Sequence, residues 1–106
     1  MKKRQYHSGQ LYYEVIVCYD VQCDKRRKSL YDFLLDIGLL PIQKSVFWGH
    51  ACMAERNAIL REFNQQLDRR TDRAFLVPAA LRDTLKTAAF GHAADTLPPL
   101  SSHAIV

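Results

Sequence analysis

Tyr12-Tyr13-Glu14-Val15-Ile16-Val17-Cys18-Tyr19, closed by Asp20, is rich in β-branched and aromatic residues and nearly unbroken in apolarity. Such a run suits a central strand covered on both faces. Working outward, Leu30, Phe33, Leu34 and Ile37 fall at i, i+3, i+4 and i+7, the apolar face of a helix. Asp24 is placed to cap its start and Gly38 to end it. The opposite face carries Lys25, Arg26 and Lys28, with Asp32 and Asp36 further along.

Leu39 to Cys52 reads as a β region. Pro41 favours a strand start or an edge. Gln43-Lys44-Ser45-Val46-Phe47-Trp48 is strand-like, and Gly49 marks a turn or bulge. An antiparallel pair fits here, with its turn unplaced. A second helix runs from about Ala54 to Leu67, its buried face being Ile59, Leu60, Phe63 and Leu67. Arg69-Arg70-Thr71-Asp72 is a polar break, and Ala74-Phe75-Leu76-Val77 a short strand ended by Pro78.

The order β-α-β-β-α-β is the split βαβ, or ferredoxin-like, pattern of the α+β class. Helices cover one sheet face, and an apolar first strand asks for cover on the other. A dimer packed sheet to sheet supplies it. The expected organisation is a basic leader over 1–11, the ferredoxin-like domain over 12–80 and a C-terminal part over 81–106. That last part holds a short helix from Leu81 to Phe90 and a Gly/Pro/Ser linker from Gly91 to Ser102. His103-Ala104-Ile105-Val106 then suits an added edge strand, on its own sheet or swapped onto a partner's.

At 106 residues the chain fits one domain, small enough to gain from a partner subunit. Fifteen Lys and Arg against eleven Asp and Glu give a net charge of +4, compatible with a polyanionic partner. Cys18, Cys23 and Cys52 form no regular spacing and read as reduced thiols of a cytoplasmic protein. No apolar run is long enough to span a bilayer, and Met1-Lys2-Lys3-Arg4 leads into polar residues, unlike a secretory signal. His7, His50, His92 and His103 are scattered, and His50 reads as a surface histidine. No dinucleotide fingerprint, Walker loop, zinc pattern or nucleophile triad is present.

Chemistry therefore rests on three places. Asp20 ends an apolar strand, held by a rigid element yet emerging at the sheet's end. One carboxylate is too little for Mg²⁺, which takes an octahedron of oxygens. Two copies of Asp20 brought together in a dimer would hold one such ion, able to polarise a phosphodiester and acidify a bound water. The run Lys25-Arg26-Arg27-Lys28 opens the first helix, where cations oppose the macrodipole, so the placement asks for an anion such as phosphate. Arg69, Arg70 and Arg73 read as a polar turn. In the third place, Lys44 and Ser45 are candidates for phosphate. Phe47 and Trp48 alternate faces, one for the core and one exposed or at an interface, with base stacking as a further role.

These residues resemble the CRISPR-associated protein 2 family: Val15-Ile16-Val17-Cys18-Tyr19-Asp20 with Arg26-Arg27 behind it, Gly38, and Gln43-Lys44-Ser45-Val46-Phe47-Trp48-Gly49. Phe75-Leu76-Val77-Pro78 and the distal apolar tail fit as well. The resemblance implies a ferredoxin-like homodimer whose final strand crosses to the partner. It implies a Mg²⁺-dependent phosphodiesterase on RNA or double-stranded DNA in some members, and a place beside the CRISPR integrase subunit in spacer acquisition. By position Asp20 matches the metal-binding aspartate, and Tyr19, Arg27, Ser45 and Phe47 match residues around the cleft. Pro41, Trp48 and Ser29 depart from the family pattern, where basic, acidic and basic residues respectively are common. Two other readings remain open: a non-catalytic DNA-binding scaffold, and a toxin-like ribonuclease of the virulence-associated protein D type.

Overall fold

The structure, a computed structural model, describes residues 10–92. Most of the basic leader, the bulk of the expected linker and the apolar tail lie outside the described residues. The elements are β1 (Tyr13–Asp20), α1 (Asp24–Asp36), β2 (Leu40–Gln43), β3 (Val46–Ala51), α2 (Met53–Gln66), β4 (Arg73–Pro78) and α3 (Leu81–Thr87). The sheet order is β2-β3-β1-β4, and every neighbouring pair is antiparallel. β1 and β2 thus run the same way with β3 between them, and β3 and β4 do so with β1 between them. α1 and α2 each cross over an intervening strand, which is the α+β, ferredoxin-like arrangement the sequence order predicts.

Side chains alternate across β1. Val15, Val17 and Tyr19 are buried on the helix side, in one cluster with Leu30, Leu34, Leu39, Phe47, Ala51 and Ile59. Each fully buried aliphatic or aromatic side chain contributes about 1.5–3 kcal/mol of transfer free energy. α1 stops where Gly38 adopts a positive φ of 104°. Its N–H donates to the Leu35 carbonyl (3.0 Å) and the Leu39 N–H to the Leu34 carbonyl (3.1 Å), a Schellman stop that also drops Leu39 into the core.

Five local expectations are corrected. The N-cap of α1 is Cys23, not Asp24, which sits in the first turn and pairs with Arg27. The strand-like run from Gln43 to Trp48 is broken by a turn at Lys44-Ser45, while Gly49 lies inside β3. A Cβ at Gly49 would meet Leu39 Cδ2 at 2.5 Å, so glycine is needed there for close approach rather than for a turn. Phe47 and Trp48 are both buried, on opposite faces, because α3 covers Trp48 together with Ile16, Leu40, Ile42, Leu81 and Leu85. His50 is also buried, its ring edge-on to Trp48 at 5.2 Å, because β3 is an interior strand.

Among the described residues the far face of β1 is accordingly covered only in part, at Ile16, which packs in the cluster of Trp48 and Leu85. Ile16 and Cys18 are half-buried on the far face, and their cross-strand neighbours Val77 and Phe75 are 40% and 56% exposed. No helix among the described residues is long and apolar enough to cross a membrane.

Candidate nucleic-acid interface and acidic strand end

The end of β1 and the start of α1 carry most of the candidate residues, and the fold divides them between two surfaces. On the helix side is an open cleft of about 520 Å³, lined by Tyr19, Asp24, Arg27, Lys28, Tyr31, Asp32, Gln43, Lys44 and Ser45. Tyr19, Arg27, Lys28, Lys44 and Ser45 are thus brought together from three separate segments. The β2–β3 turn is fixed to β1 by the Tyr19 N–H, which donates to the Ser45 carbonyl at 3.1 Å. Ser45 itself takes a positive φ of 62°.

The cleft cations differ in how free they are. Arg27 donates to the Val21 carbonyl at 2.6 Å and is paired with Asp24. Lys28 meets Asp32 at 2.7 Å, which pushes the lysine pKa up. Lys44 is exposed and has no ion-pair partner among the described residues; the same is true of Lys25, which lies outside the cleft lining. Burial, followed by the neighbouring Tyr31, raises the Tyr19 phenol, with Arg27 opposing. Phe47 does not line the cleft. It is fully buried behind it, 5.1 Å from the Tyr31 ring and 6.2 Å from Tyr19, so it supports the wall and offers no stacking face.

Arg26 points elsewhere. Its guanidinium holds Asp72 from Nε at 2.9 Å, and Asp72 Oδ1 also accepts the Gln22 N–H at 3.0 Å. The Asp68 N–H (2.9 Å) and the Thr71 hydroxyl (3.1 Å) complete the cluster. The Asp72 side chain is wholly buried, and Arg26, helped by these backbone N–H groups, holds its carboxyl far below the usual carboxylate range. The helix-opening cations therefore find their anions largely inside the chain, in Asp24, Asp32 and Asp72.

On the other surface stands Asp20. It follows Ile16 and Cys18 in the alternation of β1, so it belongs to the open sheet face, not the cleft. It is exposed, and its side-chain hydrogen bond is from Gln22 Nε2 to Oδ1 at 3.1 Å. Among the described residues, no three His, Cys, Asp or Glu side chains converge as a metal cluster. Asp20 faces Arg73 across the β1–β4 pair but has no ion pair among the described residues, and its carboxylate is a hard oxygen donor that fits half of a Mg²⁺ site.

Sequence reasoning missed Gln22, Tyr31 and Asp72. Tyr31 stands four residues after Arg27 and so shares its helix face, a signal that was present. Asp72 sits in what reads as a polar break, and only the fold reveals its burial.

These features define a small ferredoxin-like α+β domain with a cationic cleft beside an exposed strand-end carboxylate. Its sequence matches the family described as CRISPR associated protein Cas2 over residues 13–86. The chain belongs to that family. It is 37% identical over 83 residues to the CRISPR-associated endoribonuclease Cas2 1 of Francisella tularensis subsp. novicida, covering 78% of this chain and 84% of the relative. The Streptococcus pyogenes Cas2 crystal structure is similar with a TM-score of 0.61 at 25% identity, covering 74% of this chain and 99% of that one. A further Cas2 crystal structure aligns with a TM-score of 0.58 at 19% identity, over 85% of this chain and 99% of the other, a likeness of fold.

Proposed function

We propose that the chain acts as a homodimer that binds double-stranded DNA or RNA beside the CRISPR integrase subunit, and that it hydrolyses phosphodiester bonds with Mg²⁺ held at Asp20. One observation carries the reading: Asp20 stands exposed on the same sheet face as Cys18, Phe75 and Val77, an apolar strip that is left partly open among the described residues. A second copy seated on that strip would bring its own Asp20 toward the first. The name of the Francisella relative, an endoribonuclease, supports a nuclease.

In this reading the paired Asp20 carboxylates hold the metal, which when bound supplies polarisation of the phosphate and a more acidic water. Lys25 and Lys44, with Arg27 and Lys28 behind their carboxylate partners, attract the sugar–phosphate backbone. Tyr19 and Ser45 line the same groove. Cleavage of RNA with and without Mg²⁺, for wild type and Asp20→Ala, tests the proposal. Loss on the order of 100-fold or more in the variant is expected, with the dimer intact. Equal cleavage by Asp20→Ala would remove Asp20 from the chemistry.

A second reading, a scaffold that holds duplex DNA without cutting it, is favoured by the separation of the cationic cleft from Asp20. It is the outcome if the wild type retains duplex but never cleaves with Mg²⁺, and if Asp20→Ala retains it equally.

A further inference from the structure

The residues that follow Asp20 are tethered in a way the proposed chemistry does not yet use. Asp72, on the α2–β4 connection, is wholly buried and receives the Gln22 N–H at 3.0 Å. The same carboxylate grips Arg26, in the first turn of α1, at 2.9 Å. The β1–α1 connection is therefore pinned at Gln22 and again at Arg26. From this pinned backbone the exposed Gln22 side chain reaches back and donates Nε2 to Asp20 Oδ1 at 3.1 Å. One carboxylate oxygen is held, and the other has no hydrogen bond among the described residues.

We propose that Gln22 is a positioning residue for Asp20, and that the Asp72–Arg26 clasp acts through it. The inference rests on Asp20 being a metal ligand. An exposed carboxylate at a strand end, unless held, divides itself among about three staggered χ1 wells. Holding one of its oxygens selects a well in advance. A site that needs the productive well binds more weakly by the fraction of time it is populated. Losing the hold costs up to about threefold for one carboxylate, and about ninefold for a site built from two copies.

The test uses the full chain and Mn²⁺ as the probe, titrated by electron paramagnetic resonance, with amide exchange at Gln22 read in parallel. Gln22→Ala removes an exposed side chain and keeps the pinned N–H. It should leave the melting temperature unchanged and weaken Mn²⁺ by several-fold, up to about ninefold. Asp72→Asn should speed exchange of the Gln22 amide and weaken Mn²⁺ in the same direction, whereas a purely structural role would lower the melting temperature alone. Unchanged Mn²⁺ affinity in Gln22→Ala, with Asp20→Ala failing to bind, overturns the positioning role. Binding by Asp20→Ala equal to wild type, or none by the wild type, overturns the metal reading itself.

Discussion

Asp72 is a carboxylate that the fold has made obligatory. Its folded pKa is depressed, chiefly by Arg26, while in the unfolded chain it titrates near 4. The stabilisation is thus present above about pH 4 and is lost as pH falls toward the folded value. Thermal unfolding should show the wild type losing stability between about pH 4 and pH 2, and Asp72→Asn less stable at pH 7 but flatter across that range. Equal slopes would contradict the clasp. The cysteines also separate. N–H groups of Arg26 and Lys25 in the first turn of α1 lower the Cys23 thiol, whereas burial raises Cys18. A thiol probe followed by peptide mapping should label Cys23 before Cys18 and the buried Cys52 last. At this scale the sequence showed Asp20, Arg27, Lys44 and Ser45, because a strand end and a charge run are local patterns. The role of Arg26 was hidden because its partner lies 46 residues away.

Among the elements, β3 is where local pattern and fold disagree. The Lys44-Ser45 turn carries none of the usual turn glycine, asparagine or proline. Ser45 is held in the left-handed region by its place beside Tyr19, a long-range bond that no periodicity announces. Gly49 looked like the turn and is instead the seat of Leu39. Gly49→Ala should cost about 1–3 kcal/mol in chemical denaturation as Leu39 is displaced. A loss within a few tenths would show that Leu39 gives way freely. α3 is tied to the sheet through Glu14, which accepts Trp48 Nε1–H at 3.0 Å and also the Leu81 N–H at the start of α3. Glu14→Ala should cost about 1–3 kcal/mol and shift Trp48 emission to the red as α3 loosens. Emission unchanged from wild type would mean that apolar packing alone holds α3. The helices themselves were legible, since Leu30 and Leu34 in α1, and Ile59 and Phe63 in α2, stand four residues apart and pack into one core.

For the whole molecule, the βαββαβ order was readable because each element carries its own period, and the antiparallel sheet follows from that order. What α3 does to the far face was not readable. It covers the β2–β3 half over Trp48 together with Ile16 of β1, and among the described residues leaves the β4 edge open, with Phe75 56% exposed. A carboxylate at that position would be buried by any subunit packed there, so if the proposed dimer forms, Phe75→Asp should convert it to monomer in sedimentation and abolish the proposed cleavage together. Nucleic-acid affinity should fall with salt, and Lys25→Ala or Lys44→Ala should each flatten the logarithmic slope on duplex DNA by about 0.9 if its ammonium meets a phosphate. Two chains sharing one acidic centre remain the core of the account, and the stoichiometry of Mn²⁺ bound to the full chain addresses it most directly. The account predicts one ion per two chains, lost in Asp20→Ala. One ion per chain, or binding that survives the loss of that carboxylate, would contradict it.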